Sequence, residues 1–307
     1  MKKIIYFTFI LLIVLILIIL VVFFYKDEKK YTFNNPIIPD GFKKVETELA
    51  TWELENGIPK GWNDGLIIED LKGNQFVWVP VNINNNNDVE EIYIKDKLDI
   101  NKIEDYQIYK YGGFYVSRFE AGVSMDMQED LNDIDENKND IIDIPQSKFN
   151  VRPWNYISIK NAKGSAEKMY DTDLLKSGLI TNKQWNSILK WIDVSESEDI
   201  GNYSNTSFSF TGLYSTDHGK NYQYAKEKLK TQYNMILSSG STNRNMTKNI
   251  YDLAGNLAEY TDQYIENMGY VIRGGNYDNI SNYSIDSSMI DTKADNRYGF
   301  RVVLYIK

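Results

Sequence analysis

Three hydrophobic patterns divide the chain. Residues 4–24 carry no charged side chain, and Tyr6 and Thr8 are their only positions with polar groups. At about 1.5 Å per helical residue, such a run crosses a hydrocarbon core of roughly 30 Å. It predicts an N-terminal transmembrane helix within residues 1–25, followed by a polar tether over 26–35. Lys2 and Lys3 precede the run, and Lys26-Asp27-Glu28-Lys29-Lys30 follows it. The positive-inside rule then keeps the N-terminus cytoplasmic and exports the remainder. A cleavable signal has a shorter apolar region and a small-residue cleavage site, so the run reads as an uncleaved anchor.

The second pattern is short and β-rich. Gln75-Phe76-Val77-Trp78-Val79-Pro80-Val81, residues 113–120, Tyr270-Val271-Ile272-Arg273 and residues 300–306 all read as strands. The third pattern has the helical period. Thr181-Asn182-Lys183-Gln184 fits a capping box, and Trp185, Ile188, Leu189 and Ile192 follow as one apolar stripe. A second helix opens at Ser158 and carries Ala162, Ala166 and Met169 on one face. Strands at both ends with helices between them predict an irregular α+β domain, not an alternating parallel sheet. No repeat or biased linker interrupts residues 36–307, which read as one domain. The Asn run at 84–87 and the acidic stretch 126–143 read as surface insertions.

Composition narrows the chemistry. Hydrophobic content of 42% with 25% charged residues is ordinary for a protein that buries a sizeable core. A net charge of −9 argues against nucleic acid, because phosphate binding needs a positive field. The chain has no cysteine and one histidine, His218. Disulfides, thiolate zinc sites and cysteine nucleophiles are thereby excluded. His218 lies in a turn-like stretch and reads as a solvated side chain, not a tuned base. The acidic stretch fails the calcium-loop pattern: counted from Asp133, the required Gly and Glu positions hold Lys138 and Ile144. Several Asn-x-Ser/Thr triplets reflect the abundance of Asn, Ile and Lys expected of a low-GC bacterial coding bias.

The late segments are the most specific. Asp252-Leu253-Ala254-Gly255-Asn256-Leu257-Ala258-Glu259-Tyr260 is followed by Arg273-Gly274-Gly275-Asn276-Tyr277 and by Tyr298-Gly299-Phe300-Arg301-Val302-Val303. Earlier blocks run in the same order: Val77-Trp78-Val79-Pro80, residues 111–120, Pro153-Trp154, and Leu179-Ile180-Thr181-Asn182-Lys183-Gln184-Trp185. Together they resemble the formylglycine-generating-enzyme, or sulfatase-modifying-factor, family, which uses a variant of the C-type lectin fold. The resemblance spans most of the exported part. It implies a C-type lectin-like α+β domain behind the membrane helix.

It also implies a structural calcium ion held by the side chains of Asp252 and Glu259 and the carbonyls of Gly255 and Leu257. Carboxylates plus carbonyls suit calcium, which takes six to eight oxygens. The competing reading is a turn in which Asp252 caps the backbone and Glu259 pairs with a nearby Arg. A second calcium site of the family maps loosely near Asn202 and Tyr203. The family's catalytic cysteines fall nearest Asn279 and Ser284, whose groups cannot supply the soft thiolates that cuprous copper prefers. Formylglycine-generating oxidation is therefore not expected, and neither is copper. Iron is not expected either, since the related iron-dependent branch needs several histidines.

These features predict a pseudoenzyme: a single-pass cell-membrane protein whose extracytoplasmic domain binds a surface glycan or protein. Asn276, Tyr277, Asn279, Asn282 and Tyr283, with the loops at 203–214, offer the Tyr and Asn suited to such contacts. Two alternatives stay open. One is an enzyme of unrecognised type, a carboxylate-based hydrolase using Glu120 or Glu259. The other is a diversified receptor-binding protein whose variation concentrates in residues 276–298.

Overall fold

Two sheets carry the architecture of the chain, seen in a computed structural model that describes residues 36–81, 97–123, 140–192, 236, 238–240, 246–253, 255–267, 269–276, 287–289 and 294–307. The described residues belong to one compact unit, Phe33–Lys307. The first sheet is antiparallel and has six strands in the order β1-β4-β5-β6-β14-β7. These are β1 (Phe42–Val45), β4 (Ile67–Asp70), β5 (Gln75–Pro80), β6 (Gly113–Ser117), β14 (Val302–Ile306) and β7 (Leu175–Leu179). The second sheet runs β12-β11-β10-β13, formed by β12 (Ser287–Met289), β11 (Gly269–Arg273), β10 (Ala258–Ile265) and β13 (Tyr298–Phe300). Its β10–β13 pair is parallel and its other pairs are antiparallel. Two hairpins complete the strands, β2 (Leu54–Glu55) with β3 (Ile58–Pro59) and β8 (Met246–Thr247) with β9 (Ile250–Tyr251).

The near-continuous apolar runs have a packing reason. β6 and β14 are buried at every residue, and β5 at all but Gln75, so both faces of the central strands are covered. The edge strand β1 instead exposes Lys43 and Lys44, charges that discourage pairing with another chain. Trp78 and Tyr115 are cross-strand partners whose rings meet edge to face at 5.0 Å.

Helices fill the middle of the chain. α1 (Ile103–Tyr111) was not anticipated from the apolar pattern. Its buried Gln107 donates to the carbonyl of Ile306 at 2.5 Å and accepts from the Ile306 N–H at 3.1 Å, so a side-chain amide pairs with β14 as a neighbouring strand would. α2 (Ile159–Lys168) begins after Ser158, and its first turn is held from outside. The Asp140 carboxylate accepts from the Ser158 N–H, the Ser158 hydroxyl and the Asn161 amide. The end of the acidic stretch is thus docked on a helix N-terminus, where negative charge is favourable.

α3 (Asn182–Trp191) has the predicted capping box, with Thr181 accepting from the Gln184 N–H and Gln184 reaching back. The buried face is rotated from the expected stripe: Gln184, Trp185, Ser187, Ile188 and Trp191 are inside, while Leu189 and Ile192 are half-exposed. Gln184 is drawn in because its amide also meets the Tyr305 hydroxyl at 3.3 Å, and Trp191 because its Nε1 donates to Asn63 Oδ1. The α+β class read from sequence is the class observed. The transmembrane run, residues 4–24, lies outside the described residues, among which no helix is long and apolar enough to cross a membrane.

Candidate functional site

The loop between β9 and β10 is built from left-handed backbone. Asp252, Gly255 and Asn256 have φ of 54°, 85° and 54°. Asp and Asn tolerate this region better than other side chains because they bond locally, and Gly carries no Cβ to clash. The Gly255 N–H donates to the carbonyl of Gly274, tying this loop to the turn that ends β11. Gly274 has φ 86°, and a Cβ there would sit 2.8 Å from the Leu253 carbonyl oxygen. That distance explains Gly274: the two loops approach too closely there for a side chain.

Beneath the loop, Glu259 pairs with a buried arginine, and Glu120 and Asp252 hold backbone nearby. Glu259 Oε1 accepts from Arg301 Nε at 2.8 Å and lies 2.6 Å from Nη2, and Oε2 accepts from Trp185 Nε1 at 3.0 Å. Glu120 accepts from the Leu257 N–H at 2.9 Å and from the Asn256 amide at 2.5 Å. Asp252 Oδ2 accepts from the Gly240 N–H at 3.1 Å. Glu120 and Glu259 are each only 1% exposed. Burial pushes the Glu120 carboxyl well above the usual carboxylate range. The charges of Asp252 and Glu259 push it further, while Arg301 and the Leu257 N–H pull it down. Burial also raises Glu259, against the pull of Arg301 and Trp185.

Asp252, Gly255, Leu257 and Glu259 therefore do come together, as one side of this buried cluster. Their fit to calcium is another matter. Both Glu259 oxygens are committed to protein donors, one of them cationic. A calcium ion at this loop would have to share Glu259 with the Arg301 guanidinium, whose positive charge repels it. The ion does not fit the donor set as it stands, and the geometry follows the competing reading, in which Asp252 caps backbone and Glu259 pairs with an arginine. Among the described residues no three His, Asp or Glu side chains form a group able to hold a metal.

The same depth rules out easy access to the carboxylates. Glycoside hydrolysis needs two carboxyl groups flanking a substrate bond. Glu120 and Glu259 instead face backbone, an amide, an indole and a guanidinium.

Of the expected ligand-binding residues, Asn276 is described: it follows the Gly274-Gly275 turn and is buried to 7% exposure. Gly275 has φ 71° and open space where a Cβ would point. Tyr277, Asn279, Asn282 and Tyr283 lie outside the described residues, as do Ser284, His218, Asn202, Tyr203 and the loop at 203–214. Arg301, Trp185 and Arg273 are further residues of the site that the sequence patterns do not assign to it. Arg273 lies beside Glu259 in register. Its Nη1 and Nη2 donate to Asn182 Oδ1 at 3.0 Å and Asn186 Oδ1 at 2.7 Å, and its guanidinium lies 5.5 Å from the Trp185 ring centroid. The signal was present in the Arg-Gly-Gly and Gly-Phe-Arg blocks, but their partners sit on elements distant in sequence.

No family model matches the chain, and no curated protein matches it. Eight solved chains match. One, titled "Crystal Structure of CarF", is 16% identical and covers 64% of this chain and 87% of its own, with a TM-score of 0.39. A likeness of that size carries no weight for fold or function.

Proposed function

We propose that the chain is a membrane-anchored, extracytoplasmic binding protein built on a C-type lectin-like domain of the sulfatase-modifying-factor type. The observation that carries this reading is the fate of the motif carboxylates. Glu120 and Glu259, the acidic groups best placed for chemistry, are buried in hydrogen bonds that hold loops together. The absence of cysteine removes the thiol chemistry of the resembling enzymes. What the motif then supports is a rigid scaffold whose glycine turn at Gly274-Gly275 leads into the Asn- and Tyr-rich stretch from Asn276 onward. Loops on such scaffolds are where binding residues concentrate. The apolar run at 4–24 supports a single-pass anchor with the C-terminal domain outside.

A surface glycan or protein is the ligand class, engaged by Tyr277, Asn279, Asn282 and Tyr283, with the buried Asn276 at the root of the stretch. The test is a glycan and surface-protein binding screen of the full-length chain in detergent, followed by alanine variants at those five positions. Saturable binding lost in Tyr277→Ala or Tyr283→Ala, with an unchanged melting temperature, supports the assignment. Binding indifferent to all five variants removes this face from the account. Turnover of a glycoside panel abolished by Glu259→Gln would replace binding with a carboxylate hydrolase.

A further inference from the structure

The position of Arg301 in the chain gives the buried cluster a second meaning. Arg301 is the single residue between β13 and β14, so the backbone passes there from the four-stranded to the six-stranded sheet. Its side chain is fully buried and reaches three other segments. Nη1 donates to the Ser117 carbonyl at the end of β6, at 3.0 Å. Nη2 donates to the carbonyls of Tyr251 and Asp252, at 2.8 and 3.3 Å. Nε and Nη2 meet Glu259 on β10. Its own carbonyl accepts from the Ile180 N–H at 3.1 Å.

A carboxylate plus three main-chain carbonyls is the kind of oxygen set a hard cation gathers. Here a planar guanidinium with five donors in a fixed fork gathers it. We propose that the Arg301 guanidinium is the built-in cation of the 252–259 loop, joining its two ends through the Asp252 carbonyl and Glu259 and sharing Glu259 with the calcium set that the resemblance implies. A dication on Glu259 would sit against this guanidinium, and neither Glu259 oxygen is without a protein donor. The loop is then held without metal, and the sheet junction and the loop are held by one group. The proposal does not depend on the ligand assignment above.

The decisive experiment is thermal unfolding of the full-length chain in detergent, in millimolar calcium and in excess chelator. Terbium titration runs alongside, because Trp185, bonded to Glu259, would sensitise emission from an ion bound there. Unchanged melting and no saturable emission are expected. Arg301→Lys, whose ammonium cannot span all four acceptors, should lower the melting temperature equally in calcium and in chelator. If that variant does not fold, the wild-type arms still decide. Saturable terbium emission, or a calcium-dependent rise in melting temperature, that Asp252→Asn abolishes would overturn the proposal. A calcium effect that survives Asp252→Asn lies elsewhere and leaves the guanidinium as the cation of this loop.

Discussion

Arg301 and Arg273 are buried to the same depth, 0% and 1% exposed, yet they fasten different parts of the fold. Arg301 meets a carboxylate of the four-stranded sheet, a main-chain carbonyl at the end of β6 and two more in and after β9. Arg273 donates to two neutral side-chain amides on α3 and lies over an indole face. Burial pushes the Arg273 guanidinium down to about 9, which still leaves it protonated at neutral pH. Trp185 stands between the two, with its N–H on Glu259 and its ring beneath Arg273. Depth alone therefore says little about what a buried charge does. The first arginine is paired with a carboxylate and fastens the scaffold. The second donates to amides of α3 and positions the turn that leads toward the proposed ligand face.

The sharpest way to break this contrast is to remove each guanidinium. Arg301→Met leaves Glu259 buried beside an apolar chain, and breaking a buried pair costs about 3–5 kcal/mol. We expect a collapse of the denaturant midpoint, with part of the loss recovered in the Arg301→Met/Glu259→Leu double variant, where no buried charge is stranded. Arg273→Met should cost less, about 1–3 kcal/mol, the scale of losing hydrogen bonds to a charged group. A double-mutant cycle between Arg273→Met and Asn186→Ala should show coupling above about 0.5 kcal/mol, whereas Arg301→Met and Asn186→Ala should be closer to additive. Equal losses at the two arginines would dissolve the distinction.

Two smaller effects sharpen it. Thr181→Ala removes the cap of the helix that carries Asn182, Trp185 and Asn186, and should cost about 1 kcal/mol in equilibrium unfolding. The smallest effect belongs to a half-exposed arginine. Arg297 pairs with Asp295 at 2.8 Å and holds its carboxyl below the usual range. A depressed carboxyl stabilises the fold above its unfolded pKa, and the gain disappears as pH falls through the folded value. Asp295→Asn should therefore cost less than about 1 kcal/mol at neutral pH. Unfolding curves of variant and wild type should converge in acid.

What could be read from sequence was local. The Thr181–Gln184 capping box is a four-residue device and is present as expected. β5, β6 and β14 announced themselves because strands covered on both faces are apolar throughout. The motif glycines were legible as turns. α1 was not legible: its buried residues, Gln107, Ile108 and Tyr111, make no continuous apolar face, and its contact with Ile306 spans most of the chain. The rotated face of α3 was hidden for a similar reason, since Gln184 and Trp191 are buried by partners at Tyr305 and Asn63. The Glu259–Arg301 pair was foreseeable only as an unnamed arginine. Which arginine, and that its guanidinium would occupy a Glu259 oxygen, depends on the crossing from β13 to β14.

That crossing also limits how the chain can vary in length. Strand side chains alternate between faces, so adding or removing one residue reverses every position beyond it. At Arg301 the shift would be felt in both sheets, swinging the guanidinium away from Glu259 or turning the buried run of β14 inside out. The β2–β3 hairpin, with exposed residues at Asn56-Gly57, has no such constraint. Insertions and deletions should therefore be accepted at exposed turns like 56–57 and refused between 298 and 304, where only side chains are free to change.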